Sequence, residues 1–346
     1  MFFIKPDIRS FTYPELEKAM IDSGLPKFRA SQIFKWLHSG VDSFDEMSNL
    51  SKELREKLSD TYFIYPVKVY KMFSSKLDET VKFLYELYDG NYIETVVMKY
   101  KHGYSICVSS QVGCRMGCEF CQSTKSGLIR SLLPGEILGQ ILTAQKVLDI
   151  KISNIVMMGI GEPLDNFENA VKFLQIVNDP KGINIGYRHI SLSTCGLCDK
   201  IRQLAEYNLP ITLSISLHSA FDKKRTEMMP VNKKYNVDEL LDACRFYQSV
   251  TGRRISFEYA LIAGVNDTDA DVNLLVDKLK GIMHHVNIIP VNRIENGIYY
   301  PPNIDAVERF CKKLNNKGSN STIRRTLGAD ISASCGQLKS RFDKER

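Results

Sequence analysis

The sequence lacks any long uninterrupted apolar run. Charged residues interrupt every hydrophobic stretch well before the length that crosses a membrane. The N-terminal MFFIKPDIRS has too short an apolar run for a secretory signal peptide. Low-complexity tracts, internal repeats and long linkers are also missing. These absences argue against membrane-spanning, fibrous and disordered classes, and we expect a cytoplasmic protein with no membrane partner.

The chain also lacks a strong excess of charge of one sign. Its 46 basic and 40 acidic residues give a net charge of +6, which leaves nucleic acid as a candidate partner without requiring one. Its 346 residues, 44% of them hydrophobic, suffice for one large domain, or one large and one small. Nine cysteines, an odd number without a secretory signal, favour reduced thiols used as ligands or reagents over a disulfide framework.

Three regions of different pattern are predicted. Residues 1–85 contain segments of helical apolar spacing and are expected to form a small accessory domain that could grip structured RNA by shape. Residues 86–103 read as hairpin or linker strands, with a turn at Asp89-Gly90. Residues 104–340 alternate strands with amphipathic helices in about six βα units, which predicts an α/β core with a parallel sheet. Six units are too few for a closed eight-stranded barrel, so a partial barrel or an open doubly wound sheet is expected.

Several predicted strands have one apolar and one polar face. The polar face of ITLSISLHS carries Ser216 and His218, that of HISLSTC carries Ser193, and that of YSICVSS carries Cys107. A fully buried parallel strand should be apolar on both faces, so the polar faces are expected to line a ligand cavity. Taken alone, His218 would more often be a core histidine with its polar edge satisfied.

Three closely spaced cysteines, Cys114, Cys118 and Cys121, lie in QVGCRMGCEFCQ directly after the first predicted core strand. Ligands of α/β proteins bind at this end of parallel strands. A structural zinc site normally has four ligands in pairs, and the only other close pair, Cys195 and Cys198, follows a different strand. An iron–sulfur cluster is favoured, because thiolates are its preferred ligands and three ligands for four irons leave one iron open to a small molecule.

The spacing Cys-x3-Cys-x2-Cys, with Phe120 before the last cysteine, resembles the signature of the radical S-adenosylmethionine (SAM) superfamily. The resemblance implies a partial (β/α)6 barrel, in agreement with the number of βα units. It also implies one 4Fe-4S cluster, held by Cys114, Cys118 and Cys121. In that superfamily the open iron binds the amino and carboxylate groups of SAM, whose reduction yields a 5′-deoxyadenosyl radical.

From about residue 14 to about 340 the chain resembles the RlmN family of rRNA and tRNA adenine-carbon-2 methyltransferases. The matching motifs, in order, are CVSSQVGC, MGIGEPLDN, SLST, SLHS, MMPVNKKY, GVND and DISASCGQL. The resemblance implies methylation of carbon 2 of an adenosine in 23S rRNA and of adenosine 37 in the anticodon loop of tRNAs. It also implies an electron donor such as flavodoxin or ferredoxin, and a monomeric protein.

By the same resemblance, Cys335 in ASCGQ takes a methyl group from one SAM, and a radical made from a second SAM abstracts a hydrogen from that methyl. The resulting methylene radical adds to the base. Cys107 then attacks the sulfur of Cys335, which frees the methylated base and leaves a transient disulfide. Glu94 in YIETVVMKY matches the base that removes the ring proton; without the resemblance, a solvated strand residue would be favoured.

The resemblance further implies a set of SAM-binding residues. Glu162, with Gly161 in the GEP motif, would accept charge-assisted hydrogen bonds from the SAM ammonium group. The other matching positions are Ser193, Ser216, Leu217, His218 and Asn292.

Two alternatives remain open at the level of sequence. Cfr enzymes methylate carbon 8 of the same base and resemble RlmN, but they typically have alanine where this chain has Pro163, which favours carbon 2. The other alternative is a non-catalytic RNA-binding protein with zinc or an iron–sulfur cluster, which would leave the polar cavity and Cys335 unexplained. Several basic residues are candidates for phosphate contacts, although each more often lies on a solvated face. They are the pairs Arg253-Arg254 and Arg324-Arg325, with Lys223, Lys224, Arg225, Lys233 and Lys234.

Overall fold

The structure, a computed structural model, describes residues 5–339. The outermost residues of the predicted first and last regions, 1–4 and 340, lie outside this range. The helices are α1 (Tyr13–Asp22), α2 (Phe28–His38), α3 (Lys52–Thr61), α4 (Pro134–Leu148), α5 (Phe167–Asn178), α6 (Cys198–Glu206), α7 (Asp222–Met228), α8 (Val237–Thr251), α9 (Asp269–Lys278) and α10 (Ile304–Asn316). The strands are β1 (Val67–Ser74), β2 (Val81–Leu87), β3 (Tyr92–Tyr100), β4 (Gly103–Cys107), β5 (Gln111–Gly113), β6 (Leu128–Ser131), β7 (Ile152–Met157), β8 (Ile190–Thr194), β9 (Thr212–Ser216), β10 (Ile255–Leu261), β11 (His284–Pro290) and β12 (Ser321–Ile323).

Helices α1, α2 and α3 form the small helical unit at the N-terminal side. The side chains of Thr12 and Ser51 cap α1 and α3, because each accepts a backbone N–H of the first turn. The apolar faces of the helices meet in a hydrophobic cluster of their own, which ends at Ile64. No helix among the described residues is both long and apolar enough to cross a membrane.

The predicted boundary at residue 85 falls inside β2, since residues 67–74 and 81–87 form strands rather than helices. The reason is the position of β1 at the edge of the sheet, where most of its side chains are exposed and show no clear two-residue alternation. We therefore propose that the accessory unit ends near Ile64. The predicted turn at Asp89-Gly90 does join β2 to β3 as an antiparallel pair, and Gly90 has a φ of 77°.

One ten-stranded sheet organises the rest of the chain, in the order β1-β2-β3-β4-β7-β8-β9-β10-β11-β12. The pairs from β1 to β4 are antiparallel, whereas β4, β7, β8, β9, β10 and β11 are parallel to one another. The linear order leaves the barrel open. The six long parallel strands confirm the partial (β/α)6 barrel, which β12 extends by three residues.

The apolar faces of the parallel strands pack under the surrounding helices. Leu213 and Ile215 of β9, together with Leu192 of β8, are fully buried in the same hydrophobic cluster as Phe173 of α5 and Leu240 of α8. This packing uses one face of each strand. The opposite, polar faces are left to form the inner wall of the open barrel.

Candidate active site

A cavity of about 930 Å³, counting the open space at its mouth, lies at the carboxyl edge of the parallel strands. Its walls come from β7 to β11 and from the loops that follow them. The polar faces of β8 and β9 line it as predicted, whereas the polar face of β4, which carries Cys107, does not. Ten of the predicted site residues contribute to these walls: Cys114, Cys118, Cys121, Gly161, Glu162, Ser193, Ser216, His218, Asn292 and Cys335. Three others, Leu217, Cys107 and Glu94, lie behind the walls.

The cysteine loop, residues 113–124, is held mainly by backbone hydrogen bonds. Gly113 has a φ of 75°, and a Cβ there would lie 1.9 Å from the carbonyl oxygen of Gly127, so this position requires glycine. The next residue, Cys114, donates its N–H to that same carbonyl at 3.0 Å. Thr124 Oγ1 donates to the carbonyl oxygens of Cys118 and Cys121, at 3.3 and 3.1 Å. These contacts aim three thiols into one cavity.

The chemistry of the three thiols fits an iron–sulfur cluster, because thiolates are its usual protein ligands and all three residues line the same cavity. Within residues 5–339, no group of three or more His, Cys, Asp or Glu side chains is arranged to hold a metal ion. Burial raises the pKa of Cys114 to about 12 and raises that of Cys118 and Cys121, so iron binding would release protons.

Glu162 is a buried carboxylate at the cavity wall. Its two oxygens accept the backbone N–H groups of Leu164 (3.0 Å) and Cys195 (2.7 Å). Burial raises the pKa of Glu162, while these hydrogen bonds oppose the rise. Among the described residues no lysine or arginine forms an ion pair with it. A buried carboxylate without a cation is suited to an ammonium group supplied by a ligand.

His218 follows β9 at a φ of 58°, in the left-handed region, where histidine is one of the more frequent non-glycine residues. Its Nδ1 accepts the N–H of Ala260 at 2.8 Å, so the proton of the neutral ring lies on Nε2. Burial lowers the pKa of His218 to about 3, which keeps the ring neutral. Phe120 of the cysteine loop contacts the ring edge-on, with 4.8 Å between ring centroids. The interpretation of His218 as an ordinary core histidine is therefore incomplete, because the residue also lines the cavity.

Leu217 points away from the cavity. Its side chain is fully buried in the main hydrophobic cluster, and its N–H donates to the carbonyl oxygen of Glu258 at 3.1 Å. Asn292, which alternation could not place, lines the cavity and donates from Nδ2 to the carbonyl oxygen of Cys335 at 3.0 Å. It therefore helps to hold the segment that carries Cys335.

Cys335 is half-buried and lies beside the cysteine loop. The backbone N–H of Gln122 donates to the carbonyl oxygen of Gly336 at 2.7 Å, and Ser123 Oγ donates to that of Leu338 at 2.9 Å. Gly336 has a φ of 83°, and a Cβ there would come within 2.9 Å of the Phe120 carbonyl. Two segments that are distant in sequence thus share one wall of the site.

Cys107 and Glu94 lie on adjacent strands behind that wall. Cys107 belongs to a small apolar cluster with Leu338 and Ala333, which flank Cys335. Burial raises the pKa of Cys107 to about 12, so its thiol is neutral. Glu94 is 1% exposed, and the interpretation of it as a solvated strand residue is wrong. Burial raises its pKa against the nearby charge of Lys82.

Sequence patterns missed other residues of the site. Arg225 is completely buried and donates to the carbonyl oxygens of Cys195 (2.7 Å) and Ser216 (3.1 Å), so the phosphate interpretation is wrong for this residue. Arg324 lines the cavity, 3.6 Å from Glu258. Cys195 lies in the same wall and packs in one cluster with Cys118. In the sequence, the only signal at Cys195 is its Cys-x2-Cys spacing with Cys198.

The open parallel barrel, with three cysteines and a buried carboxylate at its carboxyl edge, defines a radical SAM protein. Residues 108–275 match the family model described as the Radical SAM superfamily, and residues 7–64 match the Ribosomal RNA large subunit methyltransferase N-terminal domain. Membership of this superfamily implies SAM and a 4Fe-4S cluster as cofactors.

Relatives define the family more narrowly. The chain is 51% identical to the probable dual-specificity RNA methyltransferase RlmN of Alkaliphilus oremlandii, over 97% of this chain and 98% of that protein. Its identity to the protein of the same description from Clostridium novyi is 50%, with the same coverage. The crystal structure of a radical SAM methyltransferase from Sphaerobacter thermophilus superposes with a TM-score of 0.92 at 38% identity, covering 96% of this chain and 99% of that one. The chain belongs to the RlmN family, as its motifs predict.

Proposed function

We propose that this protein is a radical SAM methyltransferase that methylates carbon 2 of an adenosine in 23S rRNA and of adenosine 37 in tRNA anticodon loops. The observation that carries the proposal is the shared cavity wall, in which Cys335 lies directly against the three-cysteine loop. A methyl-carrying thiol can then stand next to the place where a radical is made. The description of the relatives as dual-specificity RNA methyltransferases supports the choice of RNA as substrate.

The cofactors and the chain divide the chemistry. When bound, the cluster and SAM supply a methyl group and a 5′-deoxyadenosyl radical. Cys114, Cys118 and Cys121 would hold the cluster, and Glu162 would accept the SAM ammonium group. His218 presents a neutral Nε2–H to the cavity. This set gathers the reactants in one place before reaction, which is the main contribution expected of a cofactor-binding protein.

Radical chemistry suits this substrate because carbon 2 of adenine is electron-poor and carries no acidic proton, so it cannot attack a sulfonium methyl as a nucleophile. Cys335 would accept the methyl group on its sulfur, lose one hydrogen atom from that methyl to the radical, and join the base through the resulting methylene. The base radical formed in this way would lose the ring proton and return one electron to the redox system that supplied it. Cys107 would then attack the Cys335 sulfur, so that an S–S bond forms, the S–CH2 bond breaks and the released methylene takes up a proton to become the methyl group. A reductant then restores both thiols. Each turnover would consume two SAM molecules, of which one donates the methyl group to Cys335 and the other supplies the radical.

Glu94 remains the proposed acceptor of the ring proton. It lies outside the cavity wall, and both of its oxygens are engaged, by Lys82 at 2.8 Å and by the backbone N–H of Lys339 at 2.7 Å. Because Glu94 does not line the cavity, proton transfer to it would need the residues that cover it to move. We also propose a flavodoxin- or ferredoxin-type electron donor, a monomeric protein and a cytoplasmic location, each from the RlmN resemblance.

The test is methylation of a 23S rRNA fragment and of a tRNA by anaerobically purified protein with SAM and a reductant. Mass spectrometry of the product nucleosides is expected to show 2-methyladenosine. The 8-methyl isomer would instead support Cfr-like activity, on which Pro163 in the cavity wall bears directly. A colourless zinc protein, without the expected ~4 irons per chain and without product, would support the non-catalytic alternative.

A further inference from the structure

The segment that carries Cys335, residues 328–339, is fastened to the strands that precede the barrel. At its start, the N–H of Gly328 donates to Asp78 Oδ2 at 3.0 Å. Asp330 accepts hydrogen bonds from Ser75 Oγ and from the Lys76 N–H, both at 2.7 Å. Asp78, Ser75 and Lys76 all lie in the loop between β1 and β2. The start of this Cys335 segment is therefore held at the edge of the sheet.

A second attachment surrounds Cys335 itself. Lys82 Nζ of β2 lies 2.8 Å from Glu94 Oε1 of β3 and donates to the carbonyl oxygen of Ser332 at 3.3 Å. The other oxygen of Glu94, Oε2, accepts the N–H of Lys339 at 2.7 Å. Ser332 and Lys339 lie on either side of Cys335 in sequence. One ion pair thus holds the segment both before and after the reactive thiol.

The burial of this ion pair makes it an unusual attachment. Lys82 is 7% exposed and Glu94 is 1% exposed, with the ring of Phe73 5.0 Å from the Lys82 ammonium group. Two charges taken out of water gain little net stability from each other, but removal of one of them is strongly destabilising. Both partners bond outside the sheet to backbone groups of the Cys335 segment. Such an arrangement specifies where the segment lies rather than adding to the strength of the sheet.

We propose that Lys82 is a positioning residue that, with Glu94, fixes the Cys335 segment in the wall of the active site. The inference rests on the proposed function only for the role of Cys335, because the contacts themselves are independent of that role. The inference also bears on Glu94, the proposed base. Glu94 is both the proposed base and the acceptor of the Lys339 N–H, so the same ion pair would link the position of the segment to the surroundings of the base.

The test measures the reactivity of the Cys335 thiol in the full-length protein without cofactors or RNA. Iodoacetamide labelling is followed by peptide mass spectrometry for Cys335, for the half-buried Cys311 of α10 as an internal reference, and for the fully buried Cys244 as a report of global unfolding. In Lys82→Met, we expect Cys335 to be alkylated about tenfold faster or more, because the remaining Glu94 charge is left unpaired. The rate at Cys311 should not change.

Two variants serve as controls. Lys82→Arg keeps the charge and the donors, and should restore a rate within about twofold of the wild type. Lys280→Met removes an exposed lysine–carboxylate contact of 2.7 Å after α9, far from the Cys335 segment, and should leave Cys335 unchanged. Equal Cys335 rates in Lys82→Met and Lys280→Met would overturn the proposal.

If Cys244 is also alkylated in Lys82→Met, that variant has unfolded, and Glu94→Asp decides. It keeps both buried charges but withdraws the carboxylate from the Lys339 N–H. Faster labelling of Cys335 alone supports the proposal, and an unchanged rate overturns it.

With the holoenzyme, Lys82→Met should lower kcat for RNA methylation without raising KM for RNA, and Lys82→Arg should restore kcat. A wild-type protein that methylates no RNA would refute the proposed function while leaving the labelling result to stand or fall separately.

Discussion

The cysteine loop and the Cys335 segment lie against each other in one wall of the cavity, but most of their other contacts differ in kind. The cysteine loop is fixed mostly by backbone bonds, such as those of Cys114 to Gly127 (3.0 Å) and of Glu119 to the carbonyl oxygen of Met228 (3.0 Å). The Cys335 segment is fixed by charged side chains of β2, β3 and the loop before them, which come from the opposite end of the sequence. The cysteine loop thus forms a cradle held mainly by backbone bonds, whereas the Cys335 segment depends on side chains from a distant part of the sequence.

This difference suggests a division of labour between the two regions. Changes in the cysteine loop should abolish the formation of the radical, whereas changes around Cys107 and Cys335 should leave the radical intact and affect only its use. Three changes test this division, from the largest expected effect to the smallest, and a fourth, at His38, tests a contact outside both regions.

Cys118→Ala removes one thiol of the cradle. Because each cluster ligand bonds a different iron, the iron content should fall from about four per chain to near zero, and SAM cleavage and RNA methylation should both be lost. Iron analysis and detection of 5′-deoxyadenosine check this. Cys311→Ala, on the outer helix α10, is the matched control and should keep the iron. A Cys118→Ala protein with full iron content would show that Cys118 is not a ligand of the cluster.

Cys107→Ala affects only the second region. The cluster and SAM cleavage should remain, but without the resolving thiol the protein should stay covalently joined to RNA. Denaturing gel electrophoresis after a single turnover should therefore show an RNA–protein adduct. Cys198→Ala, at a buried cysteine outside the cavity wall, should give no adduct. Normal turnover by Cys107→Ala would show that Cys107 is not the resolving residue.

Glu162→Gln tests the boundary between the two regions, because the residue touches the Cys195 backbone and faces the cavity. Loss of a charge-assisted bond to an ammonium group should weaken SAM binding by about 10- to 100-fold, with the iron content unchanged. Equilibrium binding of SAM to the reconstituted protein measures the effect. Glu168→Gln, an exposed carboxylate of α5, is the control. Unaltered SAM affinity in Glu162→Gln would refute the assigned role.

His38 lies outside both regions, where α2 meets the core. Its Nδ1 accepts the Ile183 N–H at 3.1 Å, and burial lowers the pKa of His38 from 6.5 to about 3. The folded state therefore favours the neutral ring, and the stability that this contributes is present above pH 6.5 and lost as the pH falls toward 3. Each pH unit within this window should cost about 1.4 kcal/mol of unfolding free energy.

Chemical denaturation of the wild type and of His38→Gln between pH 7 and 4.5 measures this slope, which should be smaller in the variant. His102→Gln, at an exposed histidine, should keep the wild-type slope. An identical pH dependence in His38→Gln and wild type would contradict the assignment.

The same difference between the two regions explains what could be predicted from the sequence. The cysteine loop is local, so its spacing alone predicted three thiols in one place. Alternation placed Ser193, Ser216 and His218 on the inner faces of their strands, because a strand repeats every two residues. The number of βα units excluded a closed eight-stranded barrel, and the superfamily resemblance then favoured a partial barrel over an open doubly wound sheet.

These local patterns do not predict contacts between residues that are distant in sequence. Lys82 lies on a strand whose residues are all buried or half-buried, and nothing in its local sequence indicates that Ser332 and Glu94 will surround it. Arg225 has the sequence context of a solvated helix, yet its guanidinium is buried on backbone carbonyls. The edge strand β1 shows no regular alternation of burial, which is why the sequence did not predict strands at residues 67–74.

The central claim is that Cys335 carries the methyl group that reaches RNA. The most direct measurement is peptide mass spectrometry of Cys335 in the reconstituted enzyme, before and after incubation with SAM and then with RNA. The account predicts one added methyl group on Cys335 that depends on SAM and is consumed when RNA and a reductant are supplied. An enzyme that methylates RNA while Cys335 stays unmodified throughout would contradict it.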